Sequence, residues 1–332
     1  MTATLRLGSL LLIALLGFSL DAAAWDRGAV QRFATLPPGA FNPEGIAVDP
    51  WNGDVYATGF NPAGVPGGEI YIFDDTGRFK RTLKVPASSS ALLGLDFHPH
   101  THALLVIDFG AGKVLDVNPH TGGSNVFMTA TSGDGLNALT FDHSGNVYVS
   151  ASFTGVVYKT GPSGGASTVW KQDPLLTTTG YPPFGANGLQ FNRHETALFV
   201  ANTGNDTVVR IEKAGAAGGT ASVFTNSING ADGLMLDEDD NVWVCANQAD
   251  EIVVTDPTGK AIAKLGDFDG VKNGSPVGLL FPASLARRDG WVYITNLSLD
   301  LRPVVGQQSV DSQWAAQVTR HTISRIRARI PH

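Results

Sequence analysis

Apolar and polar positions alternate along this chain in a unit that recurs six times. Each unit opens on a short apolar strand: Glu44–Asp49, Leu93–His98, Asn137–Asp142, Asn187–Asn192, Asp232–Asp237 and, more loosely, Pro282–Arg287. The steps between these openings are 49, 44, 50, 45 and 50 residues. A turn rich in Gly, Asn and Asp follows. A second apolar strand comes next: Val55–Thr58, Leu104–Ile107, Val147–Ser150, Leu198–Ala201, Val242–Cys245 and Trp291–Ile294. A third strand follows another polar turn, as in Ile70–Phe73 and Glu251–Val254. Apolar strands bounded by Gly, Asn and Asp read as antiparallel meanders. A repeat of this length with several strands per unit predicts an all-β, six-bladed β-propeller with four-stranded antiparallel blades. Ile323–Ile330 reads as a third strand of the last unit, and Val30–Leu36 as an outer strand with no unit of its own. An N-terminal strand completing the last blade would close the ring and remove open edges.

The lead positions of the six strands carry the candidate chemistry. Four are oxygen donors: Glu44, Asn137, Asn187 and Asp232. Equivalent positions in a propeller face one axis, so these four would converge there. Ca²⁺ takes six to eight oxygen ligands from carboxylates, amide carbonyls and water. The set contains no His or Cys, which argues against a dedicated zinc site. A single Asn-Gly or Asp-Gly pair is an ordinary turn signal, but Glu44 is not a turn former. The expected cofactor is therefore one divalent ion, Ca²⁺ first, with Mn²⁺, Mg²⁺ or Zn²⁺ as alternatives. Four side chains leave coordination places open to substrate and water. Asn202, Asn247 and Asn296 end second strands on the same side and are candidate substrate contacts, together with Asn137. Trp51, Phe60, Phe109, Phe153 and Tyr181 are expected near that rim.

Composition adds a compartment. Arg6, the apolar run Leu7–Leu20 and Ala22–Ala24 form a secretory signal peptide, which places the mature start near Trp25 and the protein outside the cell or in a periplasm. Residues 25–332 then form one propeller domain. With 39 glycines and 18 prolines, turns are amply supplied. A net charge of −7 makes nucleic acid or an anionic membrane a poor partner. The single cysteine, Cys245, excludes an intramolecular disulfide and reads as a buried apolar residue.

Pro43–Gly45, Asn137, Ala186–Leu189 and Ala231–Leu234 together resemble the regucalcin–gluconolactonase (senescence marker protein) family of six-bladed propellers. Paraoxonase and diisopropyl-fluorophosphatase are more distant relatives of similar design. The resemblance implies that Glu44, Asn187 and Asp232 bind a divalent ion, usually Ca²⁺, and that Asn137 contacts the ion or the substrate. It also implies that Asp232 is the general base or nucleophile in hydrolysis of a small-molecule lactone or ester. Sugar-lactonase members often carry an arginine two residues before the third-blade asparagine; here that residue is Gly135, which counts against a polyol lactone. The competing reading is a non-catalytic binding propeller, of the NHL or strictosidine-synthase-like kind, with a structural ion.

Three local patterns are set aside. His98, His100 and His102 occupy a turn that other units enter with Asp or Asn, so a surface hairpin is expected in preference to a zinc site. Gly161–Gly165 matches G-x-S-x-G without the strand-to-helix elbow that motif needs. Asp237–Asn241 begins like an EF-hand loop but runs straight into a strand.

Overall fold

The computed structural model describes residues 26–131 and 133–331. The signal-peptide reading of residues 1–24 lies outside them. Among the described residues, six four-stranded sheets and one two-stranded hairpin account for the strands. Blade one is Asn42–Val48, Val55–Phe60, Gly68–Phe73 and Phe79–Val85. Blade two spans Leu92–Thr129, blade three Leu136–Gln172, blade four Ala186–Thr225 and blade five Ala231–Leu265, each a four-stranded antiparallel meander. Blade six takes Pro282–Arg288, Trp291–Asn296 and Thr322–Arg327 from the end of the chain and Gln31–Thr35 from its start. The expected closure by an N-terminal strand is present. Among the described residues no helix is long and apolar enough to cross a membrane.

The core is divided by the ring. Six apolar clusters fill the six seams between neighbouring blades. Ile70, Leu92 and Leu104 lie in the seam of blades one and two, and Trp243, Ile252 and Ile294 in that of blades five and six. Strands buried on both faces explain the near-continuous apolar runs in the sequence.

Every inner strand breaks register at the same place. The shifts fall between Pro43 and Ile46, Leu92 and Leu95, Leu136 and Leu139, Ala186 and Leu189, Ala231 and Leu234, and Pro282 and Leu285. Each is a β-bulge with two residues out of the ladder. The lead residues Glu44, Leu93, Asn137, Asn187 and Asp232 are the first of each pair. In blade six the equivalent is Ala283, one residue later than the opening at Pro282. The second residues, Gly45, Gly94, Ala138, Gly188, Gly233 and Ser284, are all small. They have to be, because inner strands crowd together at the axis: a Cβ on Gly45 would sit 2.4 Å from Leu93 O, and one on Gly188 2.5 Å from Leu234 N.

Two segments interrupt the regular plan. Phe268–Lys272 and Ser275–Gly278 form a hairpin between blades five and six. Residues 297–321 link the second and third strands of blade six and contain two one-turn helices, Arg302–Val305 and Ser312–Ala315.

Candidate active site

The bulge separates two chambers along the axis. The first residues of five bulges face an upper cavity of about 50 Å³, lined by Glu44, Leu93, Asn137, Asn187 and Asp232. The second residues of all six face a lower channel of about 810 Å³. The four oxygen-bearing lead residues are thus brought to one cavity, each no more than 5% exposed. Blades three, four and five supply three adjacent polar positions. Glu44 lies between the apolar lead residues Ala283 and Leu93 of its neighbouring blades.

In blades three, four and five the residue that follows the second strand meets the lead residue of its own blade. Asn137 donates through Nδ2 to Ser152 Oγ at 3.2 Å, and Asn187 to Thr203 Oγ1 at 3.0 Å. Asn247 donates to Asp232 Oδ2 at 2.8 Å and is itself held by Gln248 Nε2 at 3.0 Å. Among the described residues no donor reaches Oδ1 of Asn137 or Asn187, which leaves two neutral oxygens for another partner. Ser152 and Thr203 escape the sequence reading. Their signal is register, since both sit fifteen or sixteen residues after a lead residue, as Asn247 does.

Two carboxylates share this cavity. Burial pushes Asp232 up to about 7, against the opposing effect of the Asn247 and Asn187 hydrogen bonds. Glu44 is also held well above the usual carboxylate range, first by burial and then by the charge of Asp232. Its Oε2 is buried with no hydrogen-bond partner. An isolated buried anionic oxygen is costly, and a cation between the two acids would remove the cost. The donor set of two carboxylates and two amide oxygens suits a hard divalent ion. The residues therefore fit the cofactor expected from the sequence.

The cavity roof is apolar. Phe60, Pro182, Phe184, Phe281, Leu297, Leu299 and Leu301 line it. Phe109, Phe153 and Phe184 stack behind it, with ring centroids 5.5–6.5 Å apart. Tyr181 ties the roof to the 297–321 segment by donating to Gln307 O at 3.0 Å. Trp51 lies elsewhere: its turn is at the far end of the inner strand, where its ring packs on His102 at 4.0 Å. A Cβ at Gly135 would meet the Phe153 ring at 2.6 Å, so an aromatic ring fills the space a longer side chain would need.

Asn202 and Asn296 are not brought to the cavity. Asn202 donates to Leu175 O and Thr177 O, and Asn296 to Thr322 Oγ1, Ser324 Oγ and Gly278 O. They sit one register position before Asn247 and point away from the axis, which the bare sequence could not show. Cys245 is fully buried, and burial with the charges of Asp232 and Glu44 pushes its thiol up. His98 Nδ1 accepts from the backbone of His100 and Thr101, and Nε2 meets Gly145 O at 2.8 Å. Among the described residues no group of three His, Cys, Asp or Glu side chains is placed to hold a metal, so the amide oxygens are essential to the candidate set.

Fold and site together define a six-bladed propeller with a buried acid pair on its axis. Residues 114–266 match the model of the "SMP-30/Gluconolactonase/LRE-like region" family. That stretch includes Asn137, Asn187 and Asp232. The resemblance to the regucalcin–gluconolactonase family is thereby shown. Solved structures share the fold at low identity. A gluconolactonase from Xanthomonas campestris has a TM-score of 0.61 and 12% identity over 92% of this chain and 91% of its own. A calcium-binding protein, regucalcin, from Agrobacterium tumefaciens has 0.61 and 15% over 90% and 97%. Virginiamycin B lyase from Staphylococcus aureus has 0.60 and 12% over 91% and 99%. No curated protein sequence matches this one.

Proposed function

We propose that this protein is an exported, divalent-ion-dependent hydrolase of a lactone or related ester. The orphaned Glu44 Oε2 beside Asp232 carries the reading, because a buried acid pair facing two free amide oxygens is a site built for a cation. Glu44, Asn137, Asn187 and Asp232 would hold the ion, Ca²⁺ before the softer metals. A bound divalent ion polarises a carbonyl and stabilises the charge that develops on its oxygen. With the ion bound Asp232 would be held ionised, able to accept a proton from water, and Asn247 fixes its Oδ2 so that the other oxygen is directed. The apolar roof keeps bulk water from the acid pair and strengthens each charge interaction inside. The names of the gluconolactonase and regucalcin relatives support the lactonase class and the calcium ion.

A panel of lactones and aryl esters, run with protein stripped by EDTA and reloaded with Ca²⁺, Mn²⁺, Mg²⁺ or Zn²⁺, tests the reading. Turnover that appears only with metal and disappears in Asp232→Asn is the expected result. Metal binding without turnover on any member of the panel would leave a binding propeller. Export is tested separately: the secreted protein should have its N-terminus at Trp25 by mass spectrometry.

A further inference from the structure

A second cavity, of about 510 Å³, lies beside the roof of the first. It opens between the blade-one linker that begins at Asn61 and the 297–321 segment. Phe60 and Leu299 line both cavities, so the two adjoin at these side chains. Pockets of roughly 300–1,000 Å³ hold small organic ligands, whereas the upper axial cavity alone is too small for one.

The lining says what such a ligand would be. Pro62, Leu299, Pro303, Val304, Ala316 and Val318 give it an apolar wall. Its polar groups are largely committed elsewhere. Asn42 donates to Leu297 O and Ser298 O, Ser298 donates to Leu280 O, and Asp300 is held by Arg302. No lysine or arginine is among the lining residues. His321 Nδ1 is buried without a partner, and burial pushes its imidazole down to about 4, so it faces the cavity neutral. A carboxylate would find Asp300 and, among the lining residues, no cation; the nearby Arg302 is already paired with Asp300.

We propose that this outer cavity binds the neutral, apolar arm of the substrate, with Phe60 and Leu299 as the movable partition through which the arm's carbonyl end reaches Glu44 and Asp232. The inference deepens the proposed function and rests on it for the carbonyl end only. Hydrolysis would leave the new carboxylate at the carbonyl end, beside Glu44 and Asp232, so in metal-free protein the acid pair repels the hydroxy acid and the lactone is favoured over it.

The test is calorimetric binding of γ-lactones, from butyrolactone to dodecalactone, to the full chain in EDTA, where metal-dependent turnover is off. Affinity should rise roughly two- to fourfold for each added methylene, as burial of CH₂ groups requires. The ring-opened hydroxy acid of dodecalactone should bind at least about tenfold more weakly than the lactone. Val304→Trp and Ala316→Phe, each checked by its melting curve, should flatten the chain-length dependence by filling the cavity. Flat binding across the series in the unaltered protein, or a dependence that survives both variants, overturns the proposal. Steep binding with no turnover under any metal supports the cavity and removes the hydrolase reading; turnover with flat binding does the reverse.

Discussion

The two ends of the inner strands are built on opposite plans. At the lower end the blades repeat one solution. Asp49, Asp142 and Asp237 each fold back to accept backbone N–H groups of their own turn, and His98 does the same through Nδ1. At the upper end the bulge presents a different lead residue almost every time: Glu44, Leu93, Asn137, Asn187, Asp232 and Ala283. The lower channel is wide and bordered by ionised groups such as Arg193, Glu238 and Arg287. The upper cavity is small and roofed by apolar side chains. Where the task is local, the blades repeat one solution with Asp49, Asp142, Asp237 and the stand-in His98; where a ligand must be recognised, the sixfold symmetry is broken.

The sharpest way to test this contrast is a matched pair of substitutions. Asp232→Asn should lose activity by at least about 10²-fold, a typical loss for a general base, while still binding an ion more weakly. Asp237→Asn, at the lower end of the same strand, should change kcat/KM by less than about twofold and act on stability only. Equal losses from both would make the upper end no more functional than the lower.

Metal should act on one end alone. A ligand in hundredfold excess over its Kd stabilises the folded state by about 2.7 kcal/mol, which corresponds to about 4 °C for a domain of this size. EDTA should therefore lower the melting temperature by about that amount and Ca²⁺ restore it. In Glu44→Gln the response should shrink. An identical melt with and without metal contradicts the site.

Backbone crowding gives a comparable effect that is independent of chemistry. Gly45→Ala places a Cβ against Leu93 O and Thr58 Oγ1 and should cost about 1–3 kcal/mol by overpacking. Gly161→Ala, in an outer turn with open space around it, should stay within about 0.5 kcal/mol. Urea melts of the two variants decide it.

A further effect follows from pH. Asp232 titrates near 7 and Asp250 near 8 in the folded chain, against about 4 for a free carboxyl. The folded state thus holds protons that the unfolded state has released. The stabilising share is complete below about pH 4 and is lost as pH rises through 7 to 8. Metal-free protein should melt lower at pH 8 than at pH 5.5. Ca²⁺ binds the ionised acids, so its stabilisation should be larger at pH 8. A Ca²⁺ increment that does not change between the two pH values would separate the acids from the ion.

The sequence exposes the parts that repeat. Strand order, blade number and the quartet Glu44, Asn137, Asn187 and Asp232 follow from periodicity, because each repeats a local cause, and ring closure follows from the one strand, Val30–Leu36, that the repeat leaves over. The parts made once are hidden. The roof comes from Pro182, Phe184 and the 297–321 segment, which carry no period. Placing Ala283 and not Pro282 at the sixth lead position requires the bulge register. Separating Asn247 from Asn202 and Asn296 requires knowing which residue falls one step past the strand. These are facts of pairing between distant strands, and no single segment contains them.

The shared blade six has a consequence for how the molecule comes into being. Its outer strand, Gln31–Thr35, precedes every other described strand, and its partner Thr322–Arg327 follows them all. Blade six remains an open edge until that partner emerges. Joining segments so far apart costs loop-closure entropy that only the finished seam repays. The ring therefore cannot close before Thr322–Arg327 has been translated, and a nascent chain short of that strand leaves an unpaired edge on blade six that must be kept from pairing elsewhere.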